Sequence, residues 1–353
     1  MKRTLSVILV AVLVCTCLAG CGAGSNPPAA TPSAAPAEAT PAPASSSSGA
    51  EIKMATGGQD TLPSYATVLD VLNDLRTNDN IDIKYFGARQ LGEDAEILQQ
   101  VMAGTIQMGG GSAAIFSNYT DLFNGIQIPF LITDYETERT AMQYPEAQAI
   151  FDAVCEATGI KILAVYDAGM RYFANNVRPI TKLEDVKGLK LRVVPTDLLI
   201  ESFNAMGANP SNLGYGELYT GLQNGTIDGE EINVTSIYSE KHYEVLKYFT
   251  DGMGIYAFPN VMYCNADWFN SLPQEQQDAL VNAFSNGYNY LFDKHLPEAE
   301  AAGREAMANA NIEISTVENP QEFIDAVSGV VESYRNKNEL FANFIDMVEG
   351  LKE

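Results

Sequence analysis

Arg192 is the residue whose position first suggests ligand binding. It lies within residues 188–197, GLKLRVVPTD, whose alternating polar and apolar side chains indicate a short strand that Pro195 ends. A guanidinium group can pair with a carboxylate through two parallel hydrogen bonds. The residues alone leave two roles open: Arg192 holds an anionic ligand, or it lies on the surface beside an acid such as Glu184 or Asp185.

Two segments repeat the same pattern 121 residues apart. EILQQVMAGTIQMG from Glu96 and ELYTGLQNGTIDG from Glu217 align without gaps. Each predicts a helix that ends at a left-handed glycine, Gly104 or Gly225, followed by a short strand. The repeat suggests two similar α/β lobes.

The strands of this repeat predict two segments that face a ligand cleft, because ligands of open α/β sheets bind beyond the carboxyl ends of the strands. The segments are residues 109–116, GGGSAAIF, and residues 229–236, GEEINVTS. In the first, bare N–H groups ahead of a helix could meet an anion or a polar ligand. In the second, Glu230 and Glu231 could bind a cation, although a solvated turn is the simpler interpretation.

The sequence lacks motifs for catalysis or metal binding. His242 and His295 are its two histidines, and no HExxH, Walker A, GxGxxG or GxSxG pattern occurs. Carboxylates that act from distant positions leave no local mark. We expect a binding protein rather than an enzyme, without a metal or cofactor.

Composition and charge narrow the class of partner. The 353-residue chain is 46% hydrophobic and 19% charged, as in globular proteins, and its length suggests two lobes. Its net charge of −24 argues against nucleic acid, which requires a basic surface. A small acid stays open as a ligand, because one desolvated arginine outweighs distant, screened charges.

The N-terminus predicts export. Residues 1–20 carry Lys2 and Arg3 before an apolar run, typical of a signal peptide, and the sequence LAGC that ends at Cys21 resembles the lipobox of bacterial lipoproteins. This resemblance implies cleavage before Cys21 and a diacylglycerol on its sulfur. Residues 21–50 then form a disordered Pro/Ala/Ser linker with a reach of roughly 30 Å.

From residue 51 onward, short apolar runs alternate with amphipathic segments, as in an α/β protein. Strands are predicted at residues 81–87 and 160–169, and helices at residues 93–104, 320–336 and about 274–311, the last interrupted or kinked at Pro297. Cys155 and Cys264 form a disulfide or are two buried thiols, and the large core favours buried thiols.

Longer motifs resemble one family. The chain contains GMRYFANNVRPITKLEDVKGLKLRVVPTD and then GANPSNLGYGELYTGLQNGTIDGEEINVTSIYSEKHYEVLKYF. Over residues 51–353 it resembles the substrate-binding proteins of tripartite ATP-independent periplasmic (TRAP) transporters, the DctP family. The resemblance implies an α/β, two-lobed periplasmic-binding-protein-like fold (type II-like), with lobes joined by long strands and a long helix in the C-terminal half. Lobe 1 is expected at about 51–168 plus 258–297, and lobe 2 at about 169–257 plus 298–353.

The resemblance also implies ligand-binding residues. The arginine of GLK-R, here Arg192, is the family's contact to the substrate carboxylate. Arg171 and Asn175, in GMRYFANN, match a second arginine and an asparagine of the family. Tyr215 falls where the family places an aromatic ring against the substrate, and ordinary packing is an equal alternative there.

The sequence departs from the family at two cleft positions. The family's DGQEN reads DGEEIN here, so Ile232 takes the place of the asparagine unless a one-residue shift lets Asn233 serve. At Gly111 and Ser112, GGGS lacks the carboxylate that sugar-acid binders of the family can carry. Both changes argue against sialic acid, and a C4-dicarboxylate, a hexuronate or an apolar organic acid stays open.

The resemblance implies a monomeric, exported lipoprotein, anchored on the outer face of the cytoplasmic membrane, that captures a small organic acid for a TRAP permease. Closure would bring Arg192 and Arg171 of one lobe against the Gly109–Ser112 segment of the other. The alternative is a receptor for an ATP-driven importer or a membrane sensor kinase.

Overall fold

The computed structural model describes residues 51–352. The predicted signal peptide, Cys21 and linker lie outside the described residues. Within them, no helix is both long enough and apolar enough to cross a membrane.

Strands and helices alternate along the described chain. The strands are β1 (Ile52–Thr56), β2 (Ile83–Phe86), β3 (Met108–Ser112), β4 (Ile160–Asn175), β5 (Lys190–Arg192), β6 (Asn209–Ser211), β7 (Gly229–Asn233), β8 (Tyr248–Asp251), β9 (Ala257–Asn265) and β10 (Glu313–Thr316). The helices are α1 (Pro63–Asn78), α2 (Asp94–Met102), α3 (Tyr135–Ala141), α4 (Pro145–Thr158), α5 (Asp197–Ala205), α6 (Leu218–Asn224), α7 (Val234–Ser239), α8 (Ala266–Ser271), α9 (Gln274–Tyr290), α10 (Leu296–Asn309), α11 (Pro320–Lys337) and α12 (Glu339–Leu351).

Strand β4 runs through both lobes. The first lobe has the strand order β2-β1-β3-β9-β4, and the second has β4-β7-β5-β6, with β8 and β10 beside the end of β4. From Ile160 to Met170, β4 pairs antiparallel with β9, and from Arg171 to Asn175 it pairs antiparallel with β7. A β-bulge that contains Gly169, with φ of 118°, precedes this change of partner. The lobes therefore share one continuous strand.

Helices cover both faces of each sheet. In the first lobe α1 and α9 pack on one face and α2 and α4 on the other. In the second lobe α5 and α11 cover one face, and α6, α7 and α10 cover the other. Each helix buries an apolar stripe against its sheet, which is the periodicity seen in the sequence. The predicted two-lobed α/β fold is confirmed.

The last helix differs in placement from the expected lobe boundaries. We expected residues 298–353 to belong to lobe 2, but Phe341 and Phe344 of α12 are fully buried in the core of lobe 1, against α4. The chain therefore returns to the first lobe after α11.

The long helix also contacts both lobes. Between α9 and α10 lies a π-helical turn, Leu291–His295, immediately before Pro297. Proline lacks an N–H and its ring crowds the preceding turn, and the wider π turn makes room for it. The predicted interruption is confirmed. Helix α9 packs against α1 of lobe 1, and α10 packs against α7 of lobe 2.

The internal repeat is also confirmed, and the prediction of two buried thiols is confirmed for Cys264 but not for Cys155, which is a free thiol that is partly exposed. Helices α2 and α6 are each followed by a left-handed glycine, Gly104 (φ 70°) and Gly225 (φ 73°), and then by β3 and β7. Cys155 and Cys264 are free thiols, the first partly exposed and the second buried.

Candidate functional site

The carboxyl ends of strands from both lobes open onto one cleft with a cavity volume of about 890 Å³. The segments after β1, β2 and β3 line it from lobe 1, and those after β5, β6 and β7 line it from lobe 2. This is the location expected from the strand directions. The charged lining residues are Arg89, Glu93, Asp94, Arg171, Arg192, Glu217 and Glu240.

Arg192 is a buried cation that faces the cleft without an ionic partner. It ends β5, its exposed fraction is 5%, and its Nε donates to the carbonyl oxygen of Leu213 at 3.1 Å. Among the described residues, no acid lies within ion-pair distance of it. The alternative of a surface pair is wrong, because Glu184 pairs with Lys187 at 2.7 Å and Asp185 accepts hydrogen bonds from its own turn.

The environment of Arg192 favours an anion. Burial lowers the pKa of its guanidinium group, which the charges of Glu231 and Glu230 offset only in part. A buried charge without a partner is costly, and a ligand carboxylate would remove that cost.

Arg171 lines the same cleft but is already paired. Its guanidinium group binds the carboxylate and the backbone carbonyl of Glu231, and it lies 4.4 Å from the ring centroid of Phe258. Glu231 also accepts hydrogen bonds from the Val194 N–H at 2.7 Å and the Tyr256 hydroxyl at 3.1 Å. Burial lowers the pKa of Arg171, but the charge of Glu231 more than offsets it, so the pKa is raised. Arg171 therefore keeps less donor capacity for a ligand than Arg192.

The adjacent acids of β7 are buried rather than solvated. Glu230 and Glu231 are both fully buried, and Glu230 Oε1 lies 2.8 Å from Nδ1 of the buried His242. Burial lowers the pKa of His242, but Glu230 more than offsets it, so the pKa is raised. The prediction of a solvated turn is therefore wrong. Glu231 and Glu230 instead form buried ionic contacts with Arg171 and His242.

Asp94 places a carboxylate in the cleft from lobe 1. Its Oδ2 accepts the Ser112 N–H at 3.1 Å, and burial raises the pKa of Asp94 to about 6. A Cβ at Gly111 would lie 2.9 Å from Asp94 Cγ, so glycine is required for this approach. We expected no carboxylate near GGGS, and Asp94 supplies one from the neighbouring helix.

The Gly109–Ser112 segment does not present a row of free N–H groups. Gly109 and Gly110 lie within β3, where a Cβ would meet Tyr263 at 2.7 Å and Met262 at 2.8 Å. A short 3₁₀ turn follows instead of an α-helix, and the Ser112 N–H is used by Asp94. The expected helix N-terminus with bare N–H groups is therefore wrong, because these glycines serve close packing.

Tyr215 and Ser112 line the cleft, as do both predicted arginines. The Tyr215 hydroxyl donates to Ser236 Oγ at 3.1 Å, and the guanidinium group of Arg89 lies 5.4 Å from its ring centroid. Ligand contact at these residues stays a prediction.

The other four predicted residues lie behind the lining. Asn175 ends β4, where its Oδ1 accepts the N–H groups of the following turn. Asn233 caps α7 and donates to the Ala168 carbonyl at 2.7 Å. Ile232 is fully buried in the core of lobe 2, and Gly111 packs against Asp94. Asn233 and Gly111 touch lining residues, so they position the site.

Sequence reasoning missed Arg89, Glu93, Asp94 and Glu240 as cleft residues. Arg89 follows β2, and Glu93 and Asp94 begin the next helix at the same edge of the sheet. The rule that placed GGGSAAIF at the cleft applies to this loop as well, so the signal was present. Glu240 follows α7 and carries no comparable signal. Among residues 51–352, no group of three or more His, Cys, Asp or Glu side chains is placed to hold a metal ion.

Two lobes that share a strand and a long helix, with a buried arginine facing the cleft between them, define a two-lobed solute-binding protein. Residues 55–338 match the family described as bacterial extracellular solute-binding protein, family 7 (DctP), and the chain belongs to this family.

Related proteins and structures agree with this assignment. The chain is 30% identical over 262 residues, 73% of its length and 79% of the relative, to the 2,3-diketo-L-gulonate-binding periplasmic protein YiaO of Escherichia coli K12. It is 26% identical over 280 residues, 76% of its length and 80% of the relative, to the C4-dicarboxylate-binding periplasmic protein DctP of Vibrio cholerae.

Solved structures share the whole fold. A TRAP periplasmic solute-binding protein of Xanthobacter autotrophicus Py2 with bound β-D-galacturonate has a TM-score of 0.78 at 28% identity, covering 85% of this chain and 99% of that one. A Pseudomonas putida F1 protein of the same kind with bound D-glucuronate has a TM-score of 0.79 at 27% identity, covering 85% and 97%.

Proposed function

We propose that this protein binds a polyhydroxy monocarboxylate of the sugar-acid class and delivers it to a TRAP-type permease. The observation that carries this proposal is that two groups line the same cleft from opposite lobes. One is Arg192, a buried cation with no ionic partner among the described residues, and the other is the carboxylate of Asp94. The sugar acids bound by the similar proteins from Xanthobacter and Pseudomonas support it.

Arg192 holds the ligand carboxylate in this account. Arg192 lines the cavity, and closure of the lobes would remove water, which strengthens the ionic hydrogen bonds. Arg171, whose charge Glu231 already balances, can offer the ligand only the N–H donors that Glu231 leaves free. Tyr215 packs its ring on the ligand.

Asp94 decides between the ligand classes that the sequence left open. Its carboxylate accepts hydrogen bonds from ligand hydroxyls. A second ligand carboxylate at this position would face the like charges of Asp94 and Glu93, which disfavours a C4-dicarboxylate. An apolar acid would leave Oδ1 of Asp94, which has no hydrogen-bond partner among the described residues, without a donor, and this disfavours that class as well.

A panel of three matched ligands tests the ligand class by thermal unfolding of the full chain. We expect D-galacturonate to raise the unfolding temperature, because binding to the native state adds about 2.7 kcal/mol at a hundredfold excess over Kd. D-galactose lacks the carboxylate and D-galactarate carries two, so both should bind at least tenfold more weakly. Tighter binding of galactarate than of galacturonate would identify a dicarboxylate receptor instead.

We also propose that the mature protein is a monomer tethered by a lipid on Cys21 through the linker of residues 21–50. The LAGC sequence supports this, and residues 51–352 supply no membrane-spanning helix of their own. Cell fractionation tests it: the wild type should follow the membranes, whereas Cys21→Ser should be released. Equal membrane association of both would contradict the anchor.

A further inference from the structure

Arg89 connects the two lobes across the cleft. It follows β2 in lobe 1, where its Nε lies 3.1 Å from Glu93 Oε1. Its Nη2 lies 3.4 Å from Oε1 of Glu240, the residue that follows α7 in lobe 2. The same guanidinium group lies 5.4 Å from the ring centroid of Tyr215, also in lobe 2.

This contact lies nearer to solvent than the proposed ligand site. The Arg89 and Glu240 side chains have exposed fractions of 20% and 15%, compared with 5% and 1% for Arg192 and Arg171. Arg89 is therefore placed between bulk solvent and the buried arginines.

The backbone that presents Arg89 is strained. Ala88 and Arg89 adopt φ values of 49° and 65°, two consecutive left-handed residues without a glycine. This conformation is unfavourable for residues that carry a Cβ, and it persists where the surroundings over-determine it. In this backbone conformation the Arg89 side chain reaches Glu240 and Tyr215 across the cleft.

Arg89 differs from Arg192 in what occupies its guanidinium group. Two carboxylates and an aromatic ring lie beside the guanidinium group of Arg89, so its charge is balanced without a ligand anion. The lobes also meet closely beside it, since a Cβ on Gly216 would lie 3.3 Å from Glu93 Oε1. The contacts are those of a residue that holds the lobes together.

We propose that Arg89, Glu93 and Glu240 form a clasp that closes the mouth of the cleft and slows release of the bound solute. The clasp rests on the proposed ligand site only in that the solute lies behind it. It acts on the closed state, so its loss should accelerate dissociation and leave association nearly unchanged.

Stopped-flow kinetics with D-galacturonate on the full chain test the clasp. Glu240→Gln removes the charge across the cleft and keeps the shape of the side chain. We expect the dissociation rate to rise about 3- to 10-fold, while the association rate stays within about twofold. Glu305→Gln, which removes an exposed acid from α10, is the matched control and should change neither rate.

A double-mutant cycle identifies the partner. Arg89→Ala should accelerate dissociation at least as much as Glu240→Gln, and the double variant should be no faster than Arg89→Ala, because the two changes remove one interaction. Added salt should accelerate release from the wild type more than from Glu240→Gln. Multiplying effects of the two substitutions, or an unchanged dissociation rate in both, would overturn the clasp.

A ligand-free measurement separates the clasp from the proposed ligand class. Hydrogen exchange of the full chain reports on residues 88–94, which carry Arg89 and Glu93, and on residues 234–240, which carry Glu240. We expect faster exchange in both segments in Glu240→Gln than in the wild type. If no uronate binds, the sugar-acid proposal fails and exchange alone decides the clasp, which unchanged exchange would overturn.

Discussion

Charge pairing distinguishes the three arginines of the cleft. Arg171 is neutralised by Glu231, and Arg89 is held by Glu93 and Glu240, whereas Arg192 has no such partner among the described residues. A ligand carboxylate therefore gains most at Arg192, because only there does it compensate an unpaired buried charge. The residue type alone does not separate these roles, since all three are arginines that line one cleft.

Asp94 should make ligand affinity depend on pH. Burial raises its pKa to about 6, so the carboxylate that accepts ligand hydroxyls is ionised above that pH and is lost as the pH falls through it. We expect affinity for D-galacturonate to fall about tenfold between pH 8 and pH 5. Asp94→Asn should bind more weakly at pH 8 and show a flatter profile. Calorimetry at both pH values measures this, and an equally steep profile in the variant would assign the titration to another group.

At the scale of elements, the contact between α10 and α7 requires a glycine. A Cβ at Gly303 would lie 2.5 Å from Val234 Cγ1 and 2.7 Å from the Val234 carbonyl oxygen. We expect Gly303→Ala to lower the free energy of unfolding by about 1–3 kcal/mol, since the helices would have to move apart. Urea denaturation measures the change.

Gly329 provides the matched control for this substitution. It is exposed on α11, and a Cβ there would meet nothing within 4 Å. Gly329→Ala should raise the free energy of unfolding by about 0.5–1 kcal/mol, because alanine favours the helix. Destabilisation by both substitutions to the same extent would mean that helix packing is not the cause.

A buried pair of acids lies beside the bulge in β4. Glu138 of α3 and Asp167 of β4 are each 1% exposed, and Asp167 Oδ1 accepts the Phe258 N–H at 3.0 Å. Burial raises the pKa of Glu138 well above its usual range and that of Asp167 to about 7, and each acid also acts on the other. Asp134 and Glu300 add further negative charge nearby.

This pair of acids should make strand β4 less stable at alkaline pH. A carboxyl with a raised pKa contributes stability that is fully present below its unfolded pKa of about 4 and lost as the pH rises through the folded pKa. We expect Asp167→Asn to be more stable than the wild type at pH 8 but not at pH 4. Thermal unfolding across this range measures it, with Asp82→Asn on the surface as the control. A constant difference between variant and wild type at all pH values would contradict the assignment.

At the scale of the whole molecule, the sequence predicted the elements better than the contacts between them. The repeat around Gly104 and Gly225 and the position of Pro297 each follow from local backbone chemistry, so the helix–strand steps and the interrupted helix were predictable. The cleft location followed from strand direction. The placement of α12 in lobe 1 was not predictable, because the apolar face of a helix does not specify which core it packs against.

The site shows the same division. Arg192 was identified through its motif, whereas Arg89 and Glu240 lie 151 residues apart in sequence and meet only through the fold. The raised pKa values of Glu138 and Asp167 and the pairing of Arg171 with Glu231 likewise depend on contacts between distant parts of the chain. Residues that form ion pairs across two lobes have no characteristic separation in the sequence, so a single sequence does not reveal them.

Binding of D-galacturonate by Arg192 variants tests the central claim most directly. Isothermal calorimetry on the full chain would compare the wild type with Arg192→Ala and Arg192→Lys, and with Arg76→Ala, which removes an exposed arginine from α1. We expect Arg192→Ala to lose about 100-fold or more in affinity, Arg192→Lys to lose less, and Arg76→Ala to bind as the wild type does. Binding by a folded Arg192→Ala within threefold of the wild type would contradict the role of Arg192 as the carboxylate contact.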